Sequence, residues 1–188
     1  MNIANQLTFF RMLLAAVCIG LVLRHTPASL IGGLAVFLLA SFTDFLDGFI
    51  ARKKGMISDL GRLIDPIADK VLIIGVFLAF LQLRVVNAWM VTAIMFREFI
   101  VTGLRVYALN KQVVLEAKKL GKHKTVSQIV AIILIFLSLI FRQMFPDQFV
   151  SRLLYEFGVP VAMWYVVVLT VSSGVYYFWS NRKIIRTF

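Results

Sequence analysis

The sequence predicts an all-α integral membrane protein with six transmembrane helices and both termini in the cytoplasm. Three observations carry this. Of 188 residues, 61% are hydrophobic and the mean hydropathy is +0.90, well above the roughly 45 to 50% apolar share of soluble domains. Six apolar runs are long enough to cross a bilayer. Lys and Arg collect between those runs, mostly on one side.

The first run, about residues 7–23, holds Arg11 and has no cationic stretch before it, which argues against a cleaved signal peptide. Cys18 lies within it as the single cysteine, so no intrachain disulfide is available and a packing thiol is expected. The second run, about 30–52, leads into Arg52, Lys53 and Lys54; the third, about 63–83, starts after a short polar link. The fourth, about 87–109, carries Arg97, Glu98 and Arg105, and the fifth, about 125–142, follows a Gly-Lys-His-Lys-Thr run at 121–125. An outer loop around 143–158 carries no motif, and the sixth run, about 159–179, precedes Arg182, Lys183 and Arg186. Connections are short and no repeat or long linker divides the chain, so residues 1–188 read as one domain.

A formal charge of +11 raises the question of nucleic acid, but the basic residues flank hydrophobic spans, where anionic lipid head groups attract them. No nucleic-acid partner is expected. One side of the membrane carries Arg52, Lys53, Lys54, Arg62, Lys111, Lys118, Lys119, Lys122, Lys124, Arg182, Lys183 and Arg186; the other carries Arg24, Arg84, Arg142 and Arg152. The positive-inside rule makes the richer side cytoplasmic.

Five of the nine acidic residues, Asp44, Asp47, Asp59, Asp65 and Asp69, fall between positions 44 and 69. Four belong to the pattern D-x2-D-G-x2-A-R-x8-G-x3-D-x3-D, which here is Asp44, Asp47, Gly48, Ala51, Arg52, Gly61, Asp65 and Asp69. Carboxylates three apart on one helix and four apart on the next each share a face. A carboxylate at the centre of a membrane helix costs about 2.5 to 3.5 kcal/mol on insertion scales, so four of them invite cations. Carboxylate oxygens suit Mg2+ or Mn2+, and four can hold two ions about 4 Å apart, the geometry that clamps a phosphoryl group. Gly48, Ala51 and Gly61 keep the helix surfaces low enough for a diphosphate to approach, and Arg52 can neutralise a phosphate. Small residues alone would indicate only close helix packing.

Lys70, beside Asp69, and Arg97, beside Glu98, read equally well as charge compensation inside the bundle. Arg105, Lys122, Lys124 and Thr125, with Arg97 as a weaker member, form a candidate pocket for a phosphate; the alternative is a membrane-surface anchor. Asn5 and Thr8 lie three apart on the first helix and can reach a nucleotide, unless Asn5 only caps that helix. His25, on the outer side, and His123, in the basic run, are poor candidates for nucleophile or base.

The eight quoted residues match the signature of the CDP-alcohol phosphotransferases without a gap or substitution, and the chain resembles that family. The opening Asn2 to Arg11 stretch, the Arg97-Glu98 pair with Arg105, and the run at 121–125 look like its bacterial phosphatidylglycerophosphate synthase branch. The resemblance implies a six-helix multi-pass enzyme of the cell membrane, commonly a homodimer, with its active site facing the cytoplasm among membrane lipids. It implies transfer of the phosphatidyl group of CDP-diacylglycerol to sn-glycerol 3-phosphate, with release of CMP and two divalent cations, Mg2+ or Mn2+, as cofactors. On this resemblance Asp44, Asp47 and Asp65 bind the metals, with Asp69 bridging or nearby and acting as general base. Gly48, Ala51, Arg52, Asp59 and Gly61 hold the CDP moiety, joined by Asn5 and Thr8.

Within the family the acceptor could instead be inositol phosphate, serine or phosphatidylglycerol. A divalent-cation transporter would need acids along a path across the membrane, whereas these acids keep to one half. A non-enzymatic scaffold accounts for the hydropathy and leaves the acids unexplained.

Overall fold

The structure is a computed structural model; it describes the backbone of residues 3–54, 59–110 and 120–185, and the side chains of residues 9–43, 70–108 and 123–182. Among the described residues the regular structure is entirely helical. The order is α1 (Ile3–Arg24), α2 (Pro27–Lys54), α3 (Asp59–Gln82), α4 (Ala88–Asn110), α5 (Leu120–Met144), α6 (Phe149–Leu153), a π turn (Leu154–Gly158) and α7 (Val159–Ile185). Each of the six apolar runs lies inside one of the long helices or extends one residue past it.

Local chemistry sets the tight reversals. After α1 the chain turns at His25, which adopts a left-handed φ of 50° and donates its N–H to Val22 O at 3.0 Å. Thr26 then caps α2: its Oγ1 accepts the Ser29 N–H at 3.2 Å while its own N–H donates to Ser29 Oγ at 3.0 Å, a reciprocal cap with Pro27 at the first helical position. The end of α3 is a Schellman turn, with Arg84 at φ 57°; Arg84 N–H reaches Leu81 O and Val85 N–H reaches Phe80 O, both at 2.9 Å.

The expected loop at 143–158 is a loop only in its first part. From Phe149 the chain is helical and continues through the π turn into α7. Pro160 supplies the reason. A proline inside a helix lacks the N–H and pushes against the carbonyl four residues back, and the widened turn just before it relieves both, with Val159 N–H donating to Leu154 O.

Packing fixes the direction of every long helix. Cys18 Sγ of α1 donates to Gly33 O of α2 at 3.4 Å, so the thiol is a packing group, as its apolar surroundings suggested. Gly75 of α3 admits Ile19 of α1, since a Cβ there would stand 2.6 Å from Ile19 Cδ1. Phe136 of α5 meets Phe37 of α2 at 6.2 Å and Phe80 of α3 edge-on at 5.2 Å, all three rings fully buried. Trp89 and Trp164, at the starts of α4 and α7, pack at 5.0 Å, and Gln143 Nε2 donates to His25 O at 2.9 Å. One end of the bundle therefore gathers late α1, early α2, late α3, early α4, late α5 and early α7. The helices alternate in direction, and the opposite end collects the start of α1, the α2/α3 and α4/α5 junctions and the end of α7.

The outer surface is apolar. Phe9, Leu13, Phe96, Phe99, Val168 and Val175 point outward and are more than half exposed, a face that soluble monomers rarely present. Among the described residues, two helical stretches, His123–Met144 and Phe149–Arg182, are long and apolar enough to cross a membrane by length and composition.

Candidate active site

The eight-residue pattern divides between two helices. Asp44, Asp47, Gly48, Ala51 and Arg52 lie on the last part of α2, and Asp59, Gly61, Asp65 and Asp69 on the first part of α3. Four residues separate Lys54 from Asp59. At 1.5 Å rise per residue, Asp47 and Asp65 sit about 10 and 9 Å from the facing helix ends, and Asp44 and Asp69 each about 15 Å. The two helices touch each other, and α1 packs on both. The backbone thus carries both aspartate pairs to similar distances from those helix ends, on adjoining helices. Their side chains lie outside the described residues, as do those of Asn5, Thr8 and Lys122; Asn5 and Thr8 fall on the first turns of α1 and Lys122 on the first turn of α5.

Immediately after Asp69, the described side chains form a buried ion cluster centred on Glu98 of α4. Glu98 Oε2 accepts from Lys70 Nζ at 2.9 Å, and Oε1 accepts from Arg97 Nη1 at 3.2 Å and from Lys124 Nζ of α5. Gln128 Nε2, one turn beyond Lys124, stands 3.5 Å from the same oxygen. Arg97 also donates from Nη2 to Ser173 Oγ of α7 at 3.1 Å, and the Ser173 hydroxyl donates to Thr170 O at 2.9 Å. Gly174 lets the arginine stem pass: a Cβ there would lie 3.0 Å from Arg97 Cγ. The Glu98 side chain is 8% exposed and that of Lys124 10%. One carboxylate ties three helices together, and Arg97 extends the tie to α7.

The structure brings together Arg97 and Lys124 from the candidate phosphate pocket. It leaves Arg105 exposed, two turns further along α4, with Thr125 half-buried and His123 exposed. Lys124, in the basic run at 121–125, is buried and bound to Glu98. For Arg97 the compensation reading holds, because its two Nη atoms have Glu98 and Ser173 as partners. Lys70 likewise has Glu98 as an ion-pair partner, 28 positions away in the chain.

Glu98 and Gln128 were missed as site residues. An acid in the apolar stretch Met95 to Val101 was a visible signal. So was the four-residue spacing of Lys124 and Gln128, which places them on one helix face. Ser173 offered none.

Known proteins resemble the chain over nearly its whole length. The family model for CDP-alcohol phosphatidyltransferase matches residues 1–172. Among curated relatives, a Bacillus subtilis protein named CDP-diacylglycerol–glycerol-3-phosphate 3-phosphatidyltransferase is 33% identical, over 99% of this chain and 98% of its own length. A Rickettsia bellii protein of the same name is 32% identical over 97% of this chain and 96% of its own, and one from Cereibacter sphaeroides is 39% identical over 72% and 63%. The matched region takes in both aspartate pairs, Lys70, Arg97, Glu98, Lys124 and the first half of α7, ending just before Ser173, and the chain belongs to the CDP-alcohol phosphatidyltransferase family.

Proposed function

We propose that this protein transfers the phosphatidyl group of CDP-diacylglycerol to sn-glycerol 3-phosphate, forming phosphatidylglycerophosphate and CMP. The observation that supports this reading is the cluster of three cations on Glu98, which begins at Lys70, the residue after Asp69 on α3. The aspartate pattern runs along the backbone of α2 and α3 up to that point. A reaction between a diphosphate-linked lipid and a phosphorylated alcohol needs both, one to manage the diphosphate and one to hold the acceptor. The relatives named for this transfer support it over most of the chain.

The donor set fits hard divalent ions. Carboxylate oxygens, from two pairs on adjoining helices, suit Mg2+ or Mn2+ and would not suit a soft metal. Asp44, Asp47 and Asp65, together with Asp69, would hold the two cations. When bound, the cations offset negative charge on the diphosphate and on departing CMP. Gly48, Ala51 and Gly61 leave room for CDP against the backbone, Arg52 and Asp59 hold it, and Asn5 and Thr8 reach it from α1. Asp69 accepts the proton of the acceptor hydroxyl as its oxygen bonds to the phosphatidyl phosphorus and the bond from that phosphorus to the CMP oxygen breaks. Arg105, Lys122, Lys124 and Thr125 bind the acceptor phosphate, with Arg97 held behind them.

The long helices cross the cell membrane six times as one catalytic domain, with the carboxylate end and both termini in the cytoplasm. Tyr107 and Trp179, near that end, and Trp89 and Trp164, near the other, are exposed and suit the two interfaces; Trp89 and Tyr107 lie about 27 Å apart along α4. Lipid chains enter laterally between helices, and two copies form a homodimer. Purified protein given CDP-diacylglycerol, Mg2+ and a panel of alcohols tests the assignment: CMP is released with glycerol 3-phosphate. Release only with serine, an inositol phosphate or phosphatidylglycerol would move the activity elsewhere in the family.

A further inference from the structure

We propose that Glu98 is a positioning residue for the acceptor: it draws Lys70, Arg97 and Lys124 from three helices into a preformed cradle for a dianionic phosphomonoester. The proposal rests on the transferase reading above and deepens it.

The charge balance is the first argument. Among the described side chains, Glu98 is the one carboxylate in contact with these three cations, and Asp69, next to Lys70, is assigned to the metal site. The lysine and arginine side chains are only 10 to 20% exposed. Buried charge is costly unless matched. Among the described side chains, three cations against one carboxylate leave an excess of two, and a phosphomonoester near neutral pH carries about −1.5 to −2. An uncharged alcohol would leave the excess in place.

The donor balance is the second. Each lysine ammonium has three N–H groups, and Lys70 and Lys124 each direct one at Glu98. Among the described side chains, donors therefore remain on both sides of the carboxylate for three phosphate oxygens. Arg97 is committed on both Nη atoms, to Glu98 and Ser173, and so braces Glu98 from α7.

The third argument is topological. Lys70, Glu98 and Lys124 stand on α3, α4 and α5, and Glu98 is the group they share. Without it, like charges face each other across a buried space and the flexible lysine stems turn outward. A phosphate would then have to gather them during binding, losing the benefit of preorganisation. Glu98 need not touch the acceptor to govern its affinity.

The experiment compares wild type, Glu98→Gln, Glu98→Asp, Lys124→Gln and the Glu98→Gln/Lys124→Gln double variant, with KM measured for each substrate at saturating Mg2+. Glu98→Gln should raise the KM for glycerol 3-phosphate roughly tenfold or more. The KM for CDP-diacylglycerol should change by less than about threefold, and kcat should fall less than that KM rises. Glu98→Asp, which restores the charge on a shorter stem, should recover part of the loss. A KM for glycerol 3-phosphate that is unchanged or lowered, or two KM values rising together, would overturn the role. With Glu98→Gln folded, its loss and that of Lys124→Gln should combine to less than their product in the double variant, because Glu98 acts partly through Lys124, and a fully multiplicative loss contradicts the role. Should Glu98→Gln fail to fold, Glu98→Asp decides, since its shorter stem should raise the KM for glycerol 3-phosphate selectively, and KM values that stay unchanged or rise together contradict the role. Wild-type protein that releases CMP only with an unphosphorylated alcohol would overturn the transferase reading and this role together. Use of glycerol 3-phosphate with Glu98→Gln indistinguishable from wild type overturns this role alone.

Discussion

Replacing Gly174 by alanine places a methyl group 3.0 Å from Arg97 Cγ, so the arginine stem must move by a few tenths of an ångström. Its head has little freedom to follow, because Nη1 bonds Glu98 at 3.2 Å and Nη2 bonds Ser173 at 3.1 Å. Overpacking of this kind costs about 1 to 3 kcal/mol. Alanine returns about 0.5 to 1 kcal/mol over glycine inside a helix, leaving a net loss of up to about 2.5 kcal/mol. Gly20 of α1 is the control, since a Cβ there meets nothing within 4 Å; Gly20→Ala should gain the propensity without the clash. For a chain of this size one kcal/mol moves the thermal midpoint by roughly 2 to 4 °C, so the two variants should separate by roughly 2 to 12 °C in detergent. Equal shifts for both would refute the idea that Gly174 is small because Arg97 must pass it. An intact Glu98 cluster should show itself in activity as well, with Gly174→Ala raising the KM for glycerol 3-phosphate more than that for CDP-diacylglycerol.

Chelation should abolish CMP release, and Asp44→Asn or Asp65→Asn should do the same while the protein stays folded by its thermal midpoint; full turnover in excess chelator would remove the metal site. Asp69→Asn should lower kcat by about 10²- to 10⁴-fold at saturating metal with little change in affinity for the CDP-lipid, whereas excess metal should rescue Asp47→Asn better. Near-normal turnover by Asp69→Asn would mean that the proton leaves by another route. Neutralising Arg105 or Lys122 should raise the KM for glycerol 3-phosphate roughly 10- to 150-fold and leave that for CDP-diacylglycerol nearly unchanged; equal effects on both substrates favour the membrane-anchor reading of this basic run. Arg84→Gly should stabilise the fold by up to about 1 kcal/mol, because Arg84 holds a φ of 57° that glycine adopts without cost.

Hydropathy located the long helices because a run such as 125–142 is apolar around its whole circumference and needs no partner to be recognised. The ends were less legible. Helix α2 extends to Lys54 and α7 to Ile185, past the ends of their apolar runs at 52 and 179, since a helix can continue into water on its own backbone bonds. The helix from Phe149 into α7 was hidden by Gly158 and Pro160, which resemble a helix start in sequence and here sit at and beyond a π turn. The aspartate pattern was legible as two pairs with helical spacing. The Glu98 cluster was legible only in part: the sequence shows Arg97 beside Glu98 and Lys70 beside Asp69, but the 28 positions between Lys70 and Glu98 close only when α3 and α4 pack. Burial of Lys124 followed from the same packing, and a basic run by itself points to the membrane surface.

Direct transfer between two named substrates is the central claim, and an isotope label tests it most directly. With ¹⁸O in the C1 hydroxyl of sn-glycerol 3-phosphate, attack of that oxygen on the phosphatidyl phosphorus carries the label into phosphatidylglycerophosphate and leaves CMP unlabelled. Mass spectrometry of both products should show this, with label retained in every lipid molecule formed. Label in CMP, or phosphatidylglycerophosphate without it, would contradict the account.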